Sequence, residues 1–360
     1  MLSAVLRGPG RMQVEELPDP ALPQGGALLK MEACAVCGTD IKMLELGHRD
    51  LIYPCIPGHE LVGRIVQLDG GGVDYYYHDN NNSSNKPIRE GDLVAVWPGI
   101  ACGRCPSCRR GTDGRCPNIR IRGFNFPGGF AEMCPLPAES LSSCLALLPK
   151  SIDPALAALS EPLGCCINGQ EQARLAGGDR GDSVLIFGGG PVGALHALLA
   201  DAFGAAKVIV SEKLPGRVAT LKNNTHATVF NPDEEDTAEL VAAETNGEGA
   251  DVILTASPAV DVDSSLLRLL SPGGRICIFS GPQPGKGEPL IDLSLMHYRE
   301  LSISGAYGCS SRQFRRAAEL LTSGRIRADW LITRRAGLGQ IEEAFAHSTR
   351  REGMKSVVCK

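Results

Sequence analysis

A chain of 360 residues is long enough for two domains, each with its own apolar core. Its 43% hydrophobic and 21% charged residues are ordinary for a soluble globular protein, and a net charge of -5 gives no electrostatic reason to bind nucleic acid or an anionic membrane. Met1 to Arg7 lacks the cationic, apolar and small-residue segments of a secretory signal, and 14 cysteines in so long a chain point to metal in a reducing cytoplasm rather than to a disulfide framework.

The first 150 or so residues read as mostly β. Short apolar runs at Ala27–Met31, Leu61–Leu68 and Leu93–Trp97 are divided by Gly, Pro and Asp clusters. Cys37-Gly38-Thr39-Asp40 and Gly58-His59-Glu60 fall between such runs and are expected on turns between strands. Asp69 to Glu90 is polar and Asn/Ser-rich at its centre and reads as a solvated hairpin loop or insertion, with Tyr75, Tyr76 and Tyr77 as an alternative partner contact.

Cys102, Cys105, Cys108 and Cys116 then form C-x2-C-x2-C-x7-C. Four thiolates at this spacing can wrap one tetrahedral zinc with no ligand position left open, and the intervening glycines and prolines suit such a loop. A closed sulfur site has no room for substrate, so its role is structural, and its metal binding is folding energy.

From about Asp153 the pattern changes to alternating helices and buried strands, with β-rich runs at Val184–Phe187, Lys207–Val210, Asp251–Thr255 and Arg275–Phe279. A parallel sheet with crossover helices follows. The nearly uncharged stretch Val184–Ala206 contains Gly188, Gly189, Gly190 and Pro191, so a strand, a tight turn and a core helix fit it better than a membrane span. After about Leu295 the reading is one strand at Leu301–Ser304, two amphipathic helical stretches and a last strand near Ser356–Val357.

Gly188-Gly189-Gly190-Pro191-Val192-Gly193 matches G-x-G-x-x-G between a strand and a helix. Such glycines make the turn, admit the pyrophosphate and let helix and strand pack closely, with phosphate at the helix N-terminus. Glu212, at the end of the next strand, can accept both ribose hydroxyls and would repel a 2′-phosphate, which favours NAD over NADP; Lys213 and Arg217 pull the other way.

A second, catalytic metal needs three protein ligands and one open position. Cys37 and His59 supply a thiolate and an imidazole. Glu161, in Ser160-Glu161-Pro162-Leu163, is the best third ligand, Glu60 its competitor, and Asp40 is suited to accept a hydrogen bond from the ring of His59.

In this order, the cysteine-type site, the four-cysteine lobe and the dinucleotide turn resemble the zinc-dependent medium-chain dehydrogenases of the alcohol dehydrogenase superfamily. GHE, SEPLG, SPGGRICIFSG and the closing GMKSVV carry the likeness over almost the whole chain. The resemblance implies an α/β protein. Residues 1–152, with the zinc lobe at about 100–118, form a mostly-β GroES-like catalytic domain; 153–295 form a doubly wound Rossmann domain for NAD; and 296–360 return to the catalytic domain, the active site lying in the cleft between them. It further implies Cys37, His59 and Glu161 around the catalytic zinc, Glu60 as an exchangeable or outer ligand, and Thr39 as first proton acceptor. Cofactor contacts fall to Gly188, Gly190, Pro191, Val192, Gly193, Glu212, Arg217, to Phe279, Ser280 and Gly281, and to Ala306 and Tyr307. Two zincs per chain and a dimer or tetramer are expected.

Glu161 places the chain nearest the sorbitol/polyol and threonine dehydrogenase branch, since ethanol-type members carry cysteine there; Cys165 and Cys166 read as core thiols. Lys42 replaces the usual His, Met43 the substrate-side Tyr of sorbitol dehydrogenases, and Gly308-Cys309 their Arg-Tyr pair. Lys42 is read as a solvated lysine, or else as the contact of an anionic substrate; His48 is read as an ordinary loop histidine. The expected reaction is NAD-linked oxidation of a secondary alcohol, a polyol, sugar alcohol or cyclitol-like compound. A threonine-type amino-alcohol dehydrogenase is the first rival. A non-catalytic zinc- and nucleotide-binding protein is the second, opposed by the joint presence of Cys37, His59, Glu161 and Thr39.

Overall fold

The apolar run at Ala27–Met31 continues to Ala35 as the centre of a seven-stranded sheet. Across the sheet run Leu145–Leu147, Leu93–Val96, Glu60–Leu68, Ala27–Ala35, Lys355–Cys359 and Ile332–Gly337, and Met133–Leu136 also pairs with the central strand. The computed structural model describes residues 1–70, 76–77, 86–175, 181–281 and 288–360. These divide into two units, one of Met1–Gly164 with Cys309–Lys360, the other of Cys165–Gly308.

The first unit is held by a core of β-branched, leucine and aromatic side chains, among them Leu29, Leu61, Ile65, Phe130, Leu136 and Val358. Helix Ile341–Thr349 closes one face through Ile341, Ala344 and Phe345, an i, i+3, i+4 stripe, and Phe345 meets Phe130 edge-on at 5.7 Å. Burying such side chains contributes about 1.5–3 kcal/mol each.

Two elements differ from the sequence reading. Cys37 is not on a turn between strands: it caps a helix, Gly38–Leu46, whose first turn is tied by the Asp40 carboxylate. The strand Ile332–Gly337 has no counterpart in the apolar pattern, because Arg334 and Arg335 face solvent on a sheet edge, where strands are commonly charged. Of the stretch Asp69–Glu90, Tyr76–Tyr77 and Lys86–Pro87 pair as antiparallel strands; residues 71–75 and 78–85 lie outside the described residues, as do the side chains of the tyrosines.

The second unit is a six-stranded sheet, all parallel, ordered Thr228–Phe230, Lys207–Ser211, Ser183–Phe187, Ala250–Thr255, Leu270–Ile278, Ser302–Gly305. Numbered along the chain the order is 3-2-1-4-5-6, the doubly wound arrangement that binds dinucleotides at the carboxyl ends of its strands. The apolar stretch from Val184 resolves into the buried strand Ser183–Phe187 and helix Pro191–Ala202, which buries Leu195 and Leu199. Among the described residues no helix is long and apolar enough to cross a membrane.

Candidate active site, sulfur lobe and cofactor turn

Register brings the first site together. Ala35 on the central strand pairs with Glu60 on one side and Val357 on the other, both antiparallel. Cys37 lies just beyond one end of that strand, and His59 and Lys355 lie just before the starts of its neighbours' paired segments. Three stretches remote in sequence thus converge on one end of the sheet. Gly58 makes the entry possible: it has φ +93°, and a Cβ there would stand 2.8 Å from Cys34 Sγ.

The ligand atoms of Cys37, His59 and Glu60 lie within 4.8 Å of one another, a spacing compatible with one ion at zinc bond lengths of about 2.0–2.3 Å. Both His59 and Glu60 are buried. Glu60 Oε1 accepts a hydrogen bond from Lys355 Nζ at 2.6 Å, whereas Oε2 is buried with no protein donor. An unsatisfied buried carboxylate oxygen beside a thiol and an imidazole is the donor set a divalent ion satisfies. Burial pushes Glu60 up to about 7 against the pull of the Lys355 ammonium, and Glu161 adds to the rise. Glu161, in the first turn of helix Ser160–Gln172, is not part of the trio but is near enough to act on Glu60 and Lys355. Thr39 is half-buried in the first turn after Cys37.

Asp40 ties the two ligand loops to each other. Its Oδ2 accepts the Cys37 backbone N–H at 2.9 Å, its Oδ1 accepts that of Gly58 at 3.4 Å, and Oδ1 also stands 3.3 Å from His59 Nδ1. Burial opposes a charge on His59, but Asp40 and then Cys37 outweigh it and raise its pKa well above the ordinary value. Asp40→Asn keeps the shape but removes the charge and one acceptor. Metal affinity at the Cys37 site is expected to drop about 10–100-fold, read by zinc release to a chelator; an unchanged release rate would show that Asp40 does not orient His59.

Lys355 had no signal in the sequence beyond its place in GMKSVV, because a lysine in a strand is ordinarily solvated. Here it is buried, its charge favoured by Glu60, Cys37 and Glu161 although burial opposes it. Lys42 is exposed, and Met43 is fully buried beside Leu6, Cys55 and Phe124. Phe124 also went unread: its ring lies 5.5 Å from that of His59 and, edge-on, 5.2 Å from that of His48.

The sulfur lobe is a separate cluster. Cys102, Cys105, Cys108 and Cys116 have their sulfurs within 4.8 Å of one another, with Cys105 and Cys108 at 3.5 Å; a tetrahedral zinc site calls for about 3.8 Å between sulfurs. Backbone N–H groups of Arg104 and Cys105 hold the Cys102 thiol down to about 6, and burial pushes Cys108 up to about 12. The lobe is anchored through Asp113, which accepts hydrogen bonds from the backbone N–H and hydroxyl of Ser311 at 2.9 and 2.5 Å.

In the second unit the glycine turn follows strand Ser183–Phe187. A Cβ at Gly193 would stand 1.7 Å from the Gly188 carbonyl oxygen, so helix and strand pack at a distance only glycine permits. Glu212, buried at the end of the next strand, accepts the Gly189 N–H at 2.8 Å and the Leu214 N–H at 2.9 Å. The Arg217 guanidinium borders Gly190, 3.1 Å from where a Cβ would be. Phe279, Ser280 and Ala306 follow the carboxyl ends of two further strands, and Thr255 secures Phe279 and Ser280 through Oγ1 and its carbonyl; Tyr307 is exposed. Cys166 is fully buried and Cys165 half-buried. Gly193→Ala is expected to force the turn open, raise the KM for cofactor and lower kcat/KM on the order of a hundredfold, measured by initial rates against cofactor concentration; wild-type values would remove the turn from the cofactor site.

Comparison with known proteins agrees with both halves. Residues 23–147 match the family model of the alcohol dehydrogenase GroES-like domain, and residues 191–323 that of the zinc-binding dehydrogenases. An L-threonine 3-dehydrogenase of Pyrococcus horikoshii is 36% identical over 342 residues, covering 92% of this chain and 90% of the relative. An L-galactonate-5-dehydrogenase of Escherichia coli K12 is 28% identical, covering 95% and 94%. A Sinorhizobium meliloti 1021 protein described as a zinc-binding dehydrogenase, solved with NADP, superposes with a TM-score of 0.85 at 29% identity over 100% of this chain and 99% of the other. The chain belongs to the zinc-dependent medium-chain dehydrogenases, in their polyol and threonine dehydrogenase branch, and is an alcohol-oxidising oxidoreductase.

Proposed function

We propose that the protein oxidises a secondary alcohol of the polyol or sugar-acid class to a ketone with NAD, using one zinc held by Cys37 and His59 with Glu60 and Glu161 as its acidic neighbours and a second in the Cys102–Cys116 lobe. The observation that carries this reading is the Cys37–His59–Glu60 cluster, its His59 and Glu60 buried, with Asp40 behind it and Lys355 and Glu161 beside it. When bound, zinc supplies a Lewis acid that makes a substrate hydroxyl acidic near neutral pH, and the nicotinamide supplies the hydride acceptor. Asp40 fixes the two loops that carry the thiolate and the imidazole. The Thr39 hydroxyl, two residues from Cys37, would accept the proton that the substrate hydroxyl gives up while passing its own onward, as the first member of a relay that ends in solvent. Gly188 to Gly193 take the pyrophosphate at the start of helix Pro191–Ala202, and Glu212, held by two backbone N–H groups, accepts the ribose hydroxyls and repels a 2′-phosphate.

Oxidation of L-threonine is the second reading, favoured by the 36% identical relative. Both are tested by one panel: sugar alcohols, aldonic acids and L-threonine, each with NAD and NADP, followed by absorbance of the reduced nicotinamide. Turnover of a polyol or aldonate with NAD is expected; turnover of threonine alone would replace the first reading by the second. Activity only with NADP would overturn the role of Glu212.

A further inference from the structure

Helix Gly38–Leu46, which carries Thr39 and Asp40, ends at Gly47 with φ +78°, a backbone turn that favours glycine. His48 follows at once, and its ring meets that of Phe124 edge-on at 5.2 Å. Phe124 in turn lies 5.5 Å from the ring of His59. It is buried in a small apolar core with Leu6, Met43 and Cys55, none of which offers a strong hydrogen-bond donor. The loop after His48 is fastened to the same residue: the Ile52 N–H donates to the Phe124 carbonyl at 3.3 Å, and the Leu51 N–H to that of His48 at 3.1 Å. The imidazole of His48 is thus held against an aromatic platform, two ring contacts from a metal ligand.

The ring also has a defined polarity. The Asp50 backbone N–H donates to His48 Nδ1 at 3.2 Å, so in the neutral ring that nitrogen is bare and the proton sits on Nε2. The Asp50 carboxylate is 3.7 Å from Nδ1, too far for a hydrogen bond. Among the described residues none bonds Nε2, and the side chain is 25% exposed. An apolar wall with one N–H donor at its far end suits a hydroxylated carbon chain. With its reacting oxygen at the metal, a polyol or aldonate of sugar length extends along Phe124 and brings a distal oxygen to His48. A short secondary alcohol such as 2-butanol ends before it.

We propose that His48 is a specificity-determining residue whose Nε2–H donates a hydrogen bond to a distal hydroxyl or carboxylate oxygen of the substrate, selecting oxygen-rich chains over simple secondary alcohols. The inference rests on the reading that the Cys37 and His59 centre takes the reacting oxygen of a polyol or sugar acid.

The test compares kcat/KM for the fastest sugar alcohol and aldonate of the panel with kcat/KM for 2-butanol. In His48→Ala the ratio falls on the order of tenfold for the sugar alcohol, and further for the aldonate, whose charged carboxylate makes the stronger bond. His48→Gln, which returns an N–H donor, recovers most of the ratio. His48→Phe, which keeps the aromatic contact without the donor, does not. A purely structural role for the loop would lower both rates together, leave the ratio in place and be rescued by phenylalanine. Glutamine and phenylalanine both fill the space of the imidazole, so their comparison decides the matter should His48→Ala fail to fold. An unmoved ratio in His48→Ala, or rescue by phenylalanine rather than glutamine, overturns the proposal. A wild-type enzyme that oxidises no polyol or aldonate would sink the substrate class and this role with it, which is seen before any variant is made; one that does, with a ratio indifferent to His48, would sink this role alone.

Discussion

Replacing Cys37 by serine is expected to leave one zinc per chain, in the sulfur lobe, and to lower kcat/KM by at least about 10³-fold. The magnitude follows from the chemistry the residue supports. A secondary alcohol has a pKa near that of water, and a bound zinc lowers such a pKa by several units, so its loss leaves almost no ionised substrate at neutral pH. A serine hydroxyl is neutral and hard where the thiolate is charged and polarisable, and the remaining ligands sit in a pocket that already holds a lysine. Metal content by mass spectrometry and initial rates on the same preparation give both numbers. Turnover near wild type with one zinc lost would remove Cys37 from the active site. Two zincs retained with activity lost would make it a residue of the reaction rather than a ligand.

Loss of metal from the sulfur lobe is expected to act on stability instead. In Cys105→Ser the chain retains the zinc at Cys37 but melts lower by roughly 10 °C, which corresponds to about 3–5 kcal/mol for a unit of this size. That is less than the apparent 10–16 kcal/mol of a structural zinc in an isolated peptide, because the lobe can open locally before the unit unfolds. The effect passes beyond the lobe through Asp113, whose carboxylate holds the start of helix Ser311–Thr322 at Ser311, and through Gly114, where a Cβ would stand 2.5 Å from the Cys309 carbonyl oxygen. Differential scanning calorimetry reads the shift, and limited proteolysis locates it between Cys102 and Cys116. An unchanged melting temperature, or cleavage that begins elsewhere, would mean that the four sulfurs do not carry a structural ion.

Much of the architecture was legible because it is local. The glycine turn needs only its own strand and helix, so G-x-G-x-x-G between Val184–Phe187 and the helix after it identified the dinucleotide fold before the sheet order was known. The four-cysteine lobe is similar: its ligands span fifteen residues of chain, and spacing alone defines the coordination. Strand edges were less visible. Ile332–Gly337 escaped notice because its arginines face solvent, and the helix after Cys37 escaped because nine residues with a weak apolar stripe look like a turn.

From the sequence by itself came the chemical alphabet of this protein: a thiolate, an imidazole, two candidate acids, four clustered sulfurs and a phosphate turn. Which acid stands beside Cys37 and His59 was decided by tertiary structure. Strand register aligns Glu60 with Ala35, so that its oxygen joins the cluster, while Glu161 sits at a helix start and acts from further off. The same register buries Lys355 against Glu60 across nearly three hundred residues of chain. No spacing rule reaches that far, because a residue's partner across a sheet depends on pairing with strands from the other end of the sequence, and only folding sets that pairing.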